Sequence, residues 1–219
     1  MQFIPDQISP LFIRVFRTYV RWLFKRRFHR VWLRSDYRPK AEGSTLYYLN
    51  HHSWWDGLIP FLLNEYHFRQ RGRALMELQQ MQRYGFFKKI GAFSIDRGDP
   101  QSAVKSLRYA VQLLKQPGTG LYIYPEGKIV PACIEPEFES GAAWMATKVE
   151  QIDLVPIALY QQSIRSDKPE LHIHVGEPQE IPKKHVEDIN RRMQLILRQM
   201  LSALHQTAGF QDEGFDAWL

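Results

Sequence analysis

The chain has 219 residues, of which 44% are hydrophobic, so it is long enough to form one domain with a substantial core. Its single cysteine, Cys133, excludes an internal disulfide and fits a reducing compartment. The formal net charge of +6 is unevenly distributed, because residues 1–40 carry +8 and the remaining 179 residues together carry −2. The basic character of the protein therefore belongs to its amino-terminal arm.

Residues 1–40 are predicted to form an amphipathic, basic helical arm. Four cations recur at steps of three, four and four residues, which keeps them on one helical stripe: Arg14, Arg17, Arg21 and Lys25. The aromatic and aliphatic residues between them form a wide apolar face, but no run reaches the roughly 20 apolar residues of a membrane-spanning helix. The cations also interrupt the apolar stretch rather than precede it, which does not fit a cleavable signal peptide.

We expect this arm to lie on a membrane surface, with its aromatic face among acyl chains and its cations among anionic headgroups. The protein would then be peripheral (monotopic), on the cytoplasmic face of the membrane. A helix docked on the core of the protein itself would have the same pattern. Nucleic-acid binding also uses clustered arginines, but the rest of the chain is acidic and has no recognised binding motif, so no nucleic-acid partner is expected.

Residues 41–219 are predicted to form a single layered α/β domain. The expected strands are 45–49, 93–95, 121–124, 154–159 and 171–175, and the expected helices are 55–63, 76–87, 141–149, 186–205 and one that opens at Asp99-Pro100 and stops before Pro117-Gly118. Because strands alternate with helices, we expect a mainly parallel sheet flanked by helices, with the amphipathic basic helix as an amino-terminal addition.

The most informative short pattern is His51, followed five residues later by Asp56. On one ideal helix these side chains would be roughly 140° apart and could not meet. If a strand ends near residue 49, however, His51 lies in the following turn and Asp56 in the first turn of the next helix, where they can fold back on each other. A neutral imidazole oriented by a carboxylate can take a proton from an alcohol. The alternative is a turn histidine followed by an ordinary first-turn carboxylate, which the helix dipole favours.

Two further polar residues follow predicted strands. Arg97 follows strand 93–95, and Glu126 follows strand 121–124. Ligands of α/β sheets collect beyond the carboxyl ends of the strands, where both residues should converge with His51. The alternatives are a surface arginine paired with Asp96 or Asp99, and a buried structural glutamate that binds backbone amides.

Four blocks of the sequence resemble, in order, the signature blocks of the glycerolipid acyltransferases, the family that includes lysophosphatidic acid acyltransferases. The blocks are Asn50-His51-His52-Ser53-Trp54-Trp55-Asp56, Gly91-Ala92-Phe93-Ser94-Ile95-Asp96-Arg97, Tyr124-Pro125-Glu126-Gly127 and Val155-Pro156-Ile157-Ala158. The first matches the family pattern Asn-His-x-Ser-x-x-Asp, and Phe138 to Ala142 resembles a stretch that commonly follows the third block. The resemblance covers about residues 45–180.

The resemblance implies a role for each matching residue. His51 would be the general base and Asp56 its orienter, and Arg97 would hold the phosphate of the acceptor. Glu126 would take part in acceptor binding, with Gly127 and Lys128 beside it. Asn50, Ser53, Pro125 and Pro156 complete the motifs, and Pro156 would lie near the acyl-donor site. No metal or cofactor is implied, because acyl-CoA or acyl-carrier protein serves as the co-substrate.

The third block departs from the family pattern. Glycine is usually followed there by Thr-Arg-Ser, whereas Gly127 is followed by Lys128-Ile129-Val130, which replaces the arginine with isoleucine. The expected activity is acyl transfer to the hydroxyl of a lysophospholipid resembling 1-acylglycerol 3-phosphate. The departure leaves open another lipid-like alcohol, such as a lyso-amino lipid or a glycosylated isoprenoid. Two rivals also remain: a lipid-binding protein without turnover, and a thioester hydrolase.

Overall fold

The computed structural model describes residues 3–180 and 185–219, so two residues of the predicted arm and four of the predicted domain lie outside the described residues. The α-helices are α1 (Pro10–Arg27), α2 (Ile59–Leu63), α3 (Leu78–Arg83), α4 (Pro100–Leu114), α5 (Gly141–Ala146) and α6 (Val186–Thr207). The strands are β1 (Arg30–Ser35), β2 (Ser44–Leu49), β3 (Arg71–Glu77), β4 (Ala92–Ile95), β5 (Thr119–Ile123), β6 (Ile152–Gln162), β7 (Glu170–Val175) and β8 (Asp216–Ala217). Short 3-10 helices cover Trp54–Leu58 and Gly85–Ile90, and one π-helical turn covers Asn64–Phe68.

The strands form one mixed, mostly parallel sheet in the order β4-β3-β5-β2-β6-β7-β1-β8. The first five strands in this order run parallel, β7 is antiparallel to β6, and β1 runs parallel to β7. The predicted α/β class, with a mainly parallel sheet and an amino-terminal amphipathic helix, is confirmed.

Helices cover both faces of this sheet, and β2 explains why. All six residues of β2 are buried, as expected for a central parallel strand with helices on each side. Tyr47 and Leu49 face a core shared with α1, α2 and α3, whereas Leu46 and Tyr48 face a core shared with α4, α5 and α6. Because successive side chains of a strand point to opposite faces of the sheet, β2 contributes apolar residues to both cores.

Three strands were missed by the sequence analysis, β1, β3 and the two-residue β8, and all three carry charged residues. β1 lies within the range assigned to the helical arm and pairs with β7 throughout its length. β3 begins Arg71-Gly72-Arg73 and is only half-buried. A strand in this position does not need a continuous apolar run, so its sequence lacks the pattern by which a strand is recognised. The helix expected over 76–87 consequently begins two residues later, after β3, and is divided into α3 and a 3-10 helix.

The amino-terminal arm packs on the domain along one side. Residues 4–9 exchange backbone hydrogen bonds with β4 and with the 3-10 helix before it, and Asp6 forms an ion pair with Arg73. Val20 and Phe24 of α1 are fully buried in the core. The alternative of a helix docked on the protein is thus correct for one face of α1, whereas Leu11, Val15, Tyr19 and Trp22 on its other face are exposed.

Candidate active site

The first signature block connects β2 to the 3-10 helix and brings His51 and Asp56 together. The Nδ1 atom of His51 lies 3.1 Å from Oδ2 of Asp56. The same oxygen accepts the backbone N–H groups of His52 and Ser53, each at 2.8 Å, and the carboxylate is fully buried. Ser53 is the N-cap of the helix, and Asp56 completes its capping box. Asp56 therefore caps the helix as an ordinary first-turn carboxylate and also binds the imidazole of His51. The two alternatives for this residue are compatible.

The surroundings of His51 set which nitrogen can act as a base. Because Asp56 accepts the proton of Nδ1, the lone pair of the neutral ring is on Nε2. The ring stacks on Tyr124 with a centroid distance of 4.4 Å, and the Tyr124 hydroxyl donates to the backbone oxygen of Asp56 at 2.6 Å. Burial raises the pKa of Tyr124 well above its ordinary range, which keeps this hydroxyl a donor. The imidazole is held on two sides and remains partly exposed.

Glu126 supports the same histidine from the neighbouring strand. It lies in the turn that follows β5, where Gly127 N–H donates to Tyr124 O and Gly127 has a φ of +65°. The Oε2 atom of Glu126 accepts the backbone N–H of His51 at 2.5 Å, and the residue is only 6% exposed. Burial raises the pKa of Glu126, the His51 hydrogen bond lowers it and the nearby Asp56 carboxylate raises it, with a net result of about 7. The alternative of a buried glutamate bonded to a backbone amide is thus observed, and that amide belongs to His51, the candidate base.

Arg97 lies over the turn that contains Glu126. A Cβ atom placed on Gly127 would be 2.5 Å from Nη1 of Arg97, so glycine allows the guanidinium to lie directly on the turn. The Nε atom of Arg97 donates to Oε2 of Glu77 at 2.8 Å. The alternative partners are occupied otherwise, since Asp96 accepts Gly98 N–H and Asp99 caps α4. Glu77 was missed because β3, which it ends, was missed.

The remaining motif residues anchor this edge of the sheet. The side chain of Asn50 forms two hydrogen bonds with the backbone of Leu159 on β6, at 2.8 and 2.9 Å. Pro156 lies inside β6, paired with Tyr48 of β2, at the level where β7 ends. It is therefore neither an edge-strand nor a strand-end proline. Pro125 is buried before Glu126, and Lys128 is exposed beyond Gly127.

The two histidines of β7 have separate partners outside this cluster. His172 Nε2 lies 2.9 Å from Asp212, whereas His174 Nε2 lies 2.8 Å from Asp36. Among residues 3–180 and 185–219, no group of three or more histidine, cysteine or acidic side chains has metal-binding geometry. Cys133 is exposed in the loop after the third block. None of these residues belongs to the cluster around His51.

Contacts therefore join the first three blocks in one continuous cluster: Arg97, Gly127, Glu126, His51 and Asp56. A family model described as "Acyltransferase" matches residues 30–160, more than half of the chain and the segment that holds all of these residues. The chain belongs to the acyltransferase family. It is accordingly an enzyme that transfers acyl groups.

The fold is similar to that of a solved acyltransferase. The crystal structure of the 1-acyl-sn-glycerophosphate (LPA) acyltransferase PlsC from Thermotoga maritima superposes on this chain with a TM-score of 0.64. The superposition covers 89% of this chain and 81% of the PlsC chain, at 18% sequence identity. At this level of sequence identity, the superposition shows a similar fold. The comparison with curated proteins gives no significant match.

Proposed function

We propose that this acyltransferase acts at a membrane surface and transfers a fatty acyl group from acyl-CoA or acyl-carrier protein to a hydroxyl of a lysophospholipid. The observation that carries the proposal is the 3.1 Å contact between His51 Nδ1 and the buried Asp56 carboxylate, which leaves Nε2 to act on a hydroxyl. The Glu126 carboxylate supports the backbone of the same histidine. His51 is the proposed general base.

The proposed reaction is a direct transfer. The Nε2 atom of His51 removes the proton of the acceptor hydroxyl while its oxygen bonds to the thioester carbonyl carbon. The carbon–sulfur bond then breaks, and the departing thiolate takes the proton from the imidazolium, which the Asp56 carboxylate stabilises. A thiolate is a good leaving group, so no acyl-enzyme is needed, and the sequence has no Gly-x-Ser-x-Gly nucleophile motif.

Arg97 is the proposed ligand for a phosphate on the acceptor. Its Nε is committed to Glu77, but its two terminal nitrogens can still present a fork to phosphate oxygens. An acceptor resembling 1-acylglycerol 3-phosphate fits this fork.

A second class of acceptor is favoured by the loop beyond Gly127. Ile129 is 53% exposed in the position where the family pattern has an arginine, and Glu77 offsets part of the charge of Arg97. The positive charge at this site is therefore too small to neutralise the charge of a phosphate monoester. A lyso-amino lipid or a glycosylated isoprenoid is the alternative acceptor.

Membrane association is proposed from the outer face of α1. Four large apolar residues recur there at steps of four, four and three, and each is more than half exposed: Leu11, Val15, Tyr19 and Trp22. Arg14, Arg21 and Lys25 lie along one side of this stripe, and α1 contains no acidic residue. An exposed apolar stripe beside cations fits the interface of an anionic membrane. Among the described residues, none of the helices has the length and apolarity to cross a bilayer.

The direct test supplies purified protein with one labelled acyl-CoA on anionic vesicles that carry one candidate acceptor at a time. We expect acylated product with a lysophospholipid or, for the alternative, with one of the other lipid alcohols. Release of free fatty acid at the same rate without an acceptor would identify a hydrolase. Vesicle binding without thioester consumption would identify a lipid-binding protein without turnover.

A further inference from the structure

The side chain of Glu77 binds Arg97, the proposed ligand of the acceptor phosphate, and has no other partner in the described protein. Its Oε2 atom accepts the Nε–H of Arg97 at 2.8 Å, which is the one hydrogen bond of either side chain among residues 3–180 and 185–219. Glu77 is also the N-cap residue of α3, but its side chain makes no capping hydrogen bond. The carboxylate therefore serves the guanidinium and not the helix.

The sheet holds this pair at the edge where the candidate active site lies. Glu77 is the last residue of β3 and is paired in the parallel register with Ile95, the last residue of β4. Arg97 follows Ile95 by two residues, so the two side chains extend from the carboxyl ends of adjacent strands. The Glu77 side chain is 28% exposed and the Arg97 side chain is 40% exposed. This pair is therefore better anchored than one between two freely solvated side chains.

The contact with Glu77 determines which part of the guanidinium can meet a ligand. Glu77 occupies the Nε edge, and Gly127 lies against Nη1, since a Cβ atom placed on that glycine would be 2.5 Å from Nη1. A long arginine side chain has many rotamers, and contacts on two sides of its head remove most of them. The two terminal nitrogens then present one fork in a fixed direction. Glu77 thus orients Arg97 before a phosphate binds.

The same contact limits the negative charge that the fork can accept. A phosphate bound to the fork and the Glu77 carboxylate would lie on two edges of one guanidinium, so two anions would share a single positive charge. A phosphodiester brings one negative charge, whereas a phosphate monoester at pH 8 brings close to two, because its second pKa is about 6. The repulsion from Glu77 is proportional to the charge of the phosphate. A diester is therefore repelled less than a monoester.

The loop beyond Gly127 does not supply a second fork to offset this repulsion. Ile129 is in the position where the family pattern has an arginine, and its side chain is 53% exposed. Lys128 is adjacent to it, but an ammonium is a strongly hydrated point charge that does not bind two phosphate oxygens in a fixed geometry. The ion pair of Glu77 and Arg97 consequently dominates the recognition of the headgroup.

We propose that Glu77 is a positioning residue that orients Arg97 and selects an acceptor whose phosphate is a diester with a single negative charge. The inference rests on the proposed acyl transfer to a lysophospholipid and narrows that acceptor to lysophospholipids with a phosphodiester headgroup. Glu77 acts through Arg97 rather than on the reacting atoms, so its effect is on acceptor binding.

The test compares two acceptors that differ by one charge, 1-acylglycerol 3-phosphate and its methyl phosphodiester, each at the same low fraction in anionic vesicles at pH 8. We expect the wild type to have a higher kcat/KM for the diester. Glu77→Gln keeps an oxygen for the Nε–H of Arg97 but removes the charge, so it should shift the ratio about tenfold toward the monoester, through KM. A wild-type preference for the monoester, or the same ratio in Glu77→Gln, would overturn the proposal.

A second pair of variants separates orientation from charge. Glu77→Ala and Glu77→Gln both lack the charge, but only the alanine variant also lacks the hydrogen bond. We expect Glu77→Ala to have an acceptor KM about fivefold higher than Glu77→Gln, with equal kcat and equal KM for the thioester. Equal acceptor KM values in these two variants would exclude the positioning role.

Glu135→Gln is the matched control for the loss of charge. Glu135 also pairs with an arginine, Arg198 at 3.0 Å, and this pair does not belong to the cluster around His51. The control should keep the wild-type ratio of the two acceptors. A shift equal to that of Glu77→Gln would show a general effect of protein charge and would refute the selection by Glu77.

A binding measurement without a donor separates this inference from the proposed function. Water-soluble, short-chain forms of the two acceptors can be titrated calorimetrically into the wild type and Glu77→Gln. A preference for the diester that is present in the wild type and lost in the variant, without acyl transfer in the assay, would support the role of Glu77 and refute the proposed function. Acyl transfer with the same relative binding in both proteins would refute the role of Glu77 alone.

Discussion

At the scale of single residues, one oxygen of Asp56 has three tasks. Oδ2 accepts two backbone N–H groups and the imidazole N–H, whereas Oδ1 is buried without a partner among the described residues. An asparagine at this position would therefore turn its oxygen toward the three donors and its NH₂ toward the unpaired position. Hydrogen bonding to His51 would survive, but the negative charge that stabilises the imidazolium would not.

The two substitutions at Asp56 should consequently differ in activity. We expect Asp56→Asn to lose activity and Asp56→Ala to lose about tenfold more, because only the alanine variant also removes the hydrogen bond that orients the imidazole. The measurement is kcat for both variants, with the melting temperature as a control for the lost helix cap. Equal activity of the two variants at equal stability would contradict the orienting role.

Glu126 should make stability depend on pH in a direction that is unusual for a carboxylate. Its folded pKa is raised from 4.5 to about 7, so its contribution to stability is complete below pH 4.5 and is lost as the pH rises through 7. A shift of this size corresponds to about 3 kcal/mol. Glu126→Gln removes the ionisation but keeps an oxygen that can accept the His51 N–H.

The free energy of unfolding of Glu126→Gln should therefore increase relative to that of the wild type as the pH is raised from 4.5 to 8. Denaturant unfolding of both proteins at the two pH values gives the comparison. A difference between variant and wild type that is the same at both pH values would show that Glu126 does not titrate in this range.

At the scale of elements, the site was predicted where a local rule determines the position of a side chain. The apolar run at 45–49 forms β2, so the turn after this strand, which carries His51, could be predicted from the run alone. Asp99 and Pro100 begin α4 as the capping rule predicts. These features depend on neighbours in sequence, which one sequence is sufficient to reveal.

Arg97 and Glu126 were expected to converge with His51 at the ends of their strands, but the specific contacts between residues distant in sequence were not predicted. Glu77 is bound to Arg97 from the end of a half-buried strand, and Glu126 reaches the backbone of His51 across 75 residues. β1 was assigned to the arm because its flanking charges continue the basic stretch, whereas its pairing with β7 depends on a segment 140 residues later. Such contacts arise from tertiary packing rather than local propensity.

The outer stripe of α1 gives a prediction with a matched control. Val15 on α1 and Val104 on α4 are both exposed valines in helices, so the same change to aspartate has a similar cost for folding at each site. We expect Val15→Asp to weaken binding to anionic vesicles by about tenfold or more, because it puts a charge into the apolar stripe and repels the surface. Val104→Asp should bind like wild type.

Co-sedimentation with vesicles at several salt concentrations measures this effect. Binding of the wild type should also fall as salt rises, because the cations beside the stripe are screened. Equal binding of the two valine variants would rule out this face of α1 as the membrane contact.

At the scale of the whole molecule, α1 and the candidate active site are physically connected. Trp55, adjacent to Asp56, packs edge-on against Phe24 and Phe28 at the carboxyl end of α1, with centroid distances of 5.6 and 5.8 Å. Trp54 beside it is 54% exposed. A membrane contact along α1 would therefore bring the loop of His51 near the surface that supplies a lipid acceptor.

His51 is the base proposed to activate the acceptor hydroxyl. The most direct measurement is the rate of acyl-lipid formation on anionic vesicles by wild type and by His51→Ala, at saturating donor and acceptor. We predict that the variant keeps the melting temperature of the wild type and loses a factor of about 10²–10⁴ in rate. A folded His51→Ala protein that forms product at the wild-type rate would contradict the account.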